Sequence, residues 1–149
     1  VGKTTDKLFA TGIADYADRI THYLSFSINT IPALKNTKNL SEEEQKKAEG
    51  ELILRQLQPS DTVVLLDEHG AERTSMETAA WLQKKMQTAR RLVFVIGGPY
   101  GFSDAIYQRA NEKISLSRMT FSHQMVRLIF TEQLYRACTL SKGESYHHE

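Results

Sequence analysis

The sequence predicts an α/β fold: a mostly parallel sheet with helices on both faces. Two observations carry this. Residues 62–67 (TVVLLD) and 92–96 (LVFVI) are continuous apolar runs rich in β-branched residues, as expected of strands buried on both sides. Segments with apolar residues at helical spacing lie between and around them, and that alternation is the signature of helices layered on a parallel sheet.

Taken in order, VGKTT (1–5) reads as the end of a first strand passing into a loop, so that strand is expected to begin before Val1. From 6 to 24, Leu8, Phe9, Ile13, Tyr16, Ala17, Ile20, Tyr23 and Leu24 keep helical spacing. FSINTI (26–31) alternates apolar and polar residues as a strand does, and 32–40 is a polar connection. SEEE (41–44) is a capping box: Ser41 accepts from the third helical amide while Glu44 reaches back. The helix it opens runs to about Leu57, with Pro59 beyond its end.

After the first buried strand, EHGAER reads as a turn around Gly70. Thr74 or Ser75 then caps a helix carrying Met76, Ala79, Ala80, Leu82 and Met86. The second buried strand leads into a loop over 97–102, and Ser103 caps a helix to about Glu112. ISLS (114–117) is a short strand, RMTFS a connection, and a last long helix spans His123 to about Leu140 before a polar tail.

The 149 residues fit one domain over 1–149, long enough to bury a core without staples. No segment approaches the ~18 apolar residues of a membrane span, and no secretory signal opens the chain. The single cysteine, Cys138, allows no internal disulfide and fits a reducing cytoplasm. It lies in an apolar-periodic segment, where a buried structural thiol is the plainer reading than a reactive one. Residues 1–75 carry 9 Lys+Arg against 12 Asp+Glu, and 76–149 carry 10 against 6. This asymmetry suggests one face that meets a polyanion, although scattered Lys and Arg are also how a solvated surface looks.

Ligands of open parallel sheets bind beyond the carboxyl ends of the strands. Three loops qualify, after Asp67, Ile96 and Leu116. GGPYG (97–101) matches neither a dinucleotide fingerprint nor a P-loop, and no lysine follows to reach a phosphate. Its glycines permit close backbone approach and Pro99 stiffens the turn; a tight strand–helix connection accounts for it equally. In 114–127, Ser115, Ser117, Thr120 and Ser122 offer hydroxyls while Leu116, Met119 and Phe121 offer apolar surface. That mixture suits a ligand with a polar and an apolar end, or else a capped loop with core anchors.

Other chemistries lack their motifs. There is no G-x-S-x-G elbow. His147 and His148 are adjacent, which is not the H-x-x-x-H spacing of a zinc helix. His22 and His69 read as surface or turn residues. Arg127 and Arg136 are nine residues apart, about 180° around a helix, so they cannot serve one site through one face. An Arg–Glu surface pair accounts for either.

VFVIGGPYG, SLSRMTFSHQMVRLIFTEQLYRA and the terminal GESYHHE, with VGKT and LLDEHG, occur in one order over essentially the whole chain. In these blocks the sequence resembles the RlmH (YbeA-type) rRNA methyltransferases of the SPOUT superfamily. The resemblance implies an α/β fold with a C-terminal trefoil knot, a homodimer, and S-adenosylmethionine as methyl donor. It implies a cytoplasmic enzyme with no membrane partner that works on the ribosome. The implied target is N3 of pseudouridine 1915, in helix 69 of 23S rRNA. Carried over residue by residue, the donor site falls on Leu66, on Gly97, and on Leu116, Ser117, Arg118, Met119, Thr120 and Phe121. One departure is Ser122, where many relatives have proline; serine is a competent N-cap.

Transfer to an imide nitrogen needs no metal, but it needs somewhere for the N–H proton to go. His147 and His123 are the candidates, because histidine titrates near neutrality. Tyr146 is placed to stack on a base, and Arg127 or Arg136 to hold phosphates or a carbonyl oxygen. The polar tail alone reads as disordered; the resemblance implies that it orders on the dimer or on RNA. Two rivals belong to other classes: a nucleotide- or flavin-binding protein of flavodoxin type, and a non-catalytic ribosome-binding assembly factor.

Overall fold

The computed structural model describes residues 1–147. They form an α/β arrangement of three strands and five α-helices, in two compact units. The first comprises Val1–Lys3, Thr30–Ala71 and Ala89–Ser115; the second comprises Thr4–Asn29, Glu72–Thr88 and the described residues from Leu116 on.

The first unit is built on a three-stranded sheet. β1 (Thr62–Glu72) lies between β2 (Leu92–Val95) and β3 (Glu112–Ser115). β1 and β2 are parallel, in register from Thr62↔Leu92 to Leu65↔Val95. Strand alternation puts Val63 and Leu65 on one face, where they pack with Ile53 of α2 (Glu42–Arg55), Val95, Phe102 and Ile106 of α4 (Asp104–Arg109). Each such side chain contributes about 1.5–3 kcal/mol by leaving water. Side chains fix the ends of this layer. Asn111 exchanges two bonds with Val63, its N–H to the Val63 carbonyl and its Oδ1 from the Val63 N–H, both at 2.8 Å. Asp61 accepts from Arg91 Nε at 2.8 Å and from the Gln58 amide at 2.7 Å. α2 opens on Ser41, whose Oγ accepts from the Glu44 amide and donates to Glu44 Oε1, both at 3.1 Å.

Five local expectations are corrected by the structure. The turn around Gly70 is not one: β1 continues to Glu72, and Gly70 lies against Ile114 so closely that a Cβ would come 2.5 Å from the Ile114 carbonyl carbon. The glycine marks backbone approach between strands. β2 is not buried on both faces; only Val95 is, because the strand lies at the edge of this sheet. FSINTI forms no strand, and Ile28 is half-exposed. Helix α4 stops at Arg109, since Glu112 already opens β3. Residues 1–5 form no strand either, although the Gly2 amide donates to the Ile31 carbonyl at 2.7 Å.

The second unit is helical. α5 (Met125–Ser141) packs against α1 (Lys7–Ile20) and α3 (Ser75–Thr88). Its interior holds Ile20, Ala79, Leu82, Phe130, Leu134, Ala137 and Cys138. Burial pushes the Cys138 thiol up to about 11, as befits a structural cysteine. Gly12 admits Leu128: a Cβ there would meet Leu128 Cδ1 at 2.8 Å. Asp6 caps α1, accepting from the Leu8 amide at 2.9 Å. Thr74 and Glu77 form a reciprocal capping box, Thr74 N to Glu77 Oε1 at 2.9 Å and Glu77 N to Thr74 Oγ1 at 3.1 Å. Ser122 Oγ accepts from the Met125 amide at 3.1 Å in the turn that enters α5, whose own N-cap, Gln124, makes no side-chain cap bond. Among the described residues no helix is long and apolar enough to cross a membrane.

Candidate active site

In the first unit, the strand β2 runs into GGPYG. Gly98 O accepts from Gly101 N at 3.3 Å across Pro99 and Tyr100, a turn with proline in its favoured second place. Gly101 has φ +82, a conformation that favours glycine. Gly97 is close-packed for a different reason. A Cβ there would meet the Phe102 ring at 2.9 Å, and Phe102 is buried in the core. The loop is anchored from α2, where Glu49 Oε1 accepts from the Gly98 amide at 3.0 Å.

Leu66 sits half-buried within β1, not in a loop. The next residue, Asp67, accepts from the Tyr107 hydroxyl and, at 2.8 Å, from the His69 amide. Burial opposes the charge on Asp67, but these bonds outweigh it and hold the carboxyl below its usual range. Burial and the same carboxylate push Tyr107 up to about 12.

The second unit carries the 116–121 segment. Leu116, Ser117 and Phe121 are half-buried; Arg118, Met119 and Thr120 are exposed. Ser117 Oγ accepts from the Met119 amide at 3.0 Å, which turns the chain. Met119 is 78% exposed, unusual for its side chain. Arg118 Nε lies 3.6 Å from Glu72 Oε1.

The same unit brings the tail residues together with α5. Glu132 Oε1 accepts from Arg136 at 2.6 Å and from the Tyr146 hydroxyl at 3.0 Å. The Tyr146 ring meets Tyr135 edge-on at 4.8 Å between centroids, and Arg136 lies 4.9 Å from the Tyr146 ring centre. Burial, followed by the bonds to Tyr16 and Glu132, raises the Tyr146 pKa. Arg136 Nη1 is 3.0 Å from His147 Nδ1, and Tyr23 donates to Glu144 at 2.5 Å. Glu144, Tyr146 and His147 thus contact other residues of their own unit; His148 and Glu149 lie outside the described residues.

Arg127 is not part of this cluster. It donates to Thr4 Oγ1 at 2.9 Å, and burial lowers its pKa. The two arginines thus go to different partners, as their half-turn offset requires. His123 is exposed in the turn before α5. Sequence reasoning missed Glu49 and the Tyr107–Asp67 pair: both join residues at least 40 apart, beyond the reach of any local pattern.

The sequence model of a family described as "Predicted SPOUT methyltransferase" matches residues 1–147. A protein of Phocaeicola vulgatus named ribosomal RNA large subunit methyltransferase H is 61% identical over 150 aligned residues, covering 100% of this chain and 96% of the relative. Proteins of the same name from Parabacteroides distasonis and Christiangramia forsetii are 60% and 58% identical, covering 100% and 99% of this chain and 96% and 95% of theirs.

Proposed function

The chain belongs to the SPOUT methyltransferase family, and we propose that it methylates large-subunit ribosomal RNA with S-adenosylmethionine as donor. The proposed target is N3 of pseudouridine 1915 in helix 69, on the assembled ribosome in the cytoplasm. The proposed enzyme is a homodimer whose C-terminal part forms a trefoil knot. The observation that carries this reading is the end-to-end likeness, near 60% identity, to proteins named for that activity.

For the donor we propose the residues carried over from the family resemblance: Leu66, Gly97, Leu116, Ser117, Arg118, Met119, Thr120 and Phe121. Their chemistry fits: backbone groups of a glycine loop, hydroxyls at Ser117 and Thr120, and apolar surface at Leu116, Met119 and Phe121 suit a molecule with polar and apolar ends. When bound, the donor supplies an electrophilic sulfonium methyl. It would give up that methyl group and depart as S-adenosylhomocysteine, leaving the N3 proton to be taken up by a protein base or by water. The main task of the protein is to hold the reactants in line, which supplies roughly 7–11 kcal/mol of the barrier.

His123 and His147 are the groups proposed to handle the proton. A guanidinium cannot accept a hydrogen bond. While Arg136 holds Nδ1 of His147, the neutral ring carries its proton on Nε2. In that state the only nitrogen-bound proton of the ring is on Nε2, which is buried, and His147 takes a further proton only once Nδ1 leaves Arg136. Tyr146 is proposed to stack on a base, and Arg127 to bind phosphate. Calorimetry against S-adenosylmethionine, FMN and ATP tests the donor: binding of FMN or ATP alone contradicts the reading. Ribosome binding without methyl transfer would mark an assembly factor.

A further inference from the structure

We propose that Glu49 is a positioning residue for the methyl donor, acting through the Gly98 peptide. The inference rests on the reading that the GGPYG loop receives the donor.

Two consecutive residues of α2 hold the two ends of that loop. At its start, Glu49 Oε1 accepts from the Gly98 amide at 3.0 Å. At its end, Gly50 is buried against Ser103, the N-cap of α4, and a Cβ on Gly50 would come 2.6 Å from Ser103 Oγ and 3.3 Å from Ile106 Cγ1. Gly50 therefore lets α4 approach α2 closely, while Glu49 fixes where the loop leaves β2. Ile53, one turn further along α2, is buried in the core beside Val95 and Phe102, so the helix that carries this clamp is itself held. The Ser103 hydroxyl makes no capping bond to α4; its place is set by packing on Gly50.

A carboxylate accepting from a backbone amide is among the stronger neutral-donor contacts. Pro99 offers no N–H, and the Gly101 amide is spent on Gly98 O, which leaves the loop few backbone donors with which to hold itself. The fit is tight from both sides. A Cβ on Gly98 would come 2.6 Å from Glu49 Oε2, so any side chain at 98 pushes the carboxylate away. Moving the Gly98 peptide moves backbone groups that this reading sets against the donor, so the loss falls on donor binding.

The test uses the full-length protein and compares Glu49→Gln with Glu49→Met. The two are of similar length, but only glutamine keeps an oxygen that accepts from the Gly98 amide. Calorimetry with S-adenosylmethionine and with S-adenosylhomocysteine is run beside thermal unfolding and steady-state methyl transfer. Glu49→Met should raise the Kd for both about tenfold and raise the donor KM in step, with kcat at saturating donor within about threefold. Glu49→Gln should bind as the unsubstituted protein does. Gly98→Ala should weaken binding in the parent but by less than about twofold once Glu49 is Met, because the two substitutions break one contact.

Unchanged affinity in Glu49→Met, equal losses in the Gln and Met variants, or multiplicative losses in the double variant would overturn the inference alone. If Glu49→Met does not fold, Glu49→Gln and Gly98→Ala decide it: loss in the first or none in the second overturns it. Failure of the unsubstituted protein to bind either molecule would overturn the donor-site reading, and the inference with it.

Discussion

The guanidinium of Arg136 donates to Nδ1 of His147 at 3.0 Å, and the same arginine is held by Glu132 at 2.6 Å. One turn of α5 thus fixes the ring tautomer of a residue in the terminal tail. Glu132 also accepts from Tyr146, so both tail residues assigned to the chemistry depend on one carboxylate.

Neutral His147 should therefore show an unprotonated Nδ1 and a protonated Nε2 in 15N spectra. In Arg136→Met the other tautomer should appear. His147→Ala should lower methyl transfer by about 10²–10⁴-fold, the range of a proton-transfer group, with donor affinity within about twofold. Normal turnover with intact donor binding would remove His147 from the mechanism.

Gly70→Ala should be among the most damaging single-atom additions in the chain. The new Cβ would fall 2.5 to 2.7 Å from the backbone atoms of Ile114, and backbone in a sheet cannot step aside as a side-chain end can. We expect a loss of about 1–3 kcal/mol or more in urea unfolding. Gly12→Ala presses on the end of Leu128 instead and should cost less. Equal losses would contradict the distinction.

Acid should weaken the first unit through Asp61. The bonds from Arg91 hold this carboxyl below its ordinary range against the cost of its burial. A lowered folded-state pKa stabilises above the unfolded value, near 4, and that stability is lost as pH falls through the lower folded value. Asp61→Asn should therefore be less stable at pH 7 by about 1–3 kcal/mol. The gap should close as pH falls below about 4; a gap that widens would contradict the assignment.

Reading the sequence by local pattern succeeds where burial and capping are local. The β-branched run at 62–67 is a strand because its residues fill the core, and Ser41 and Asp6 cap helices with atoms two or three residues away. The same reasoning fails at Gly70, where a residue that usually marks a turn instead admits Ile114 from a distant strand. It fails at FSINTI, whose alternation has no buried sheet face to satisfy, since Ile28 is half-exposed. In the candidate site, Gly97 was legible as a glycine that something approaches closely. That the Phe102 ring is what packs there, and that Glu49 ties down the neighbouring amide, follows only from the folded chain.

The proposed methyl transfer to one base of large-subunit rRNA is decided by incubating the protein with ribosomes lacking the modification and S-adenosylmethionine carrying a CD3 group, then mapping the rRNA by mass spectrometry. A CD3 label is expected on N3 of the helix 69 pseudouridine, dependent on the donor and on the intact tail. Labelled donor left unconsumed, or a label at a different nucleotide, would contradict it.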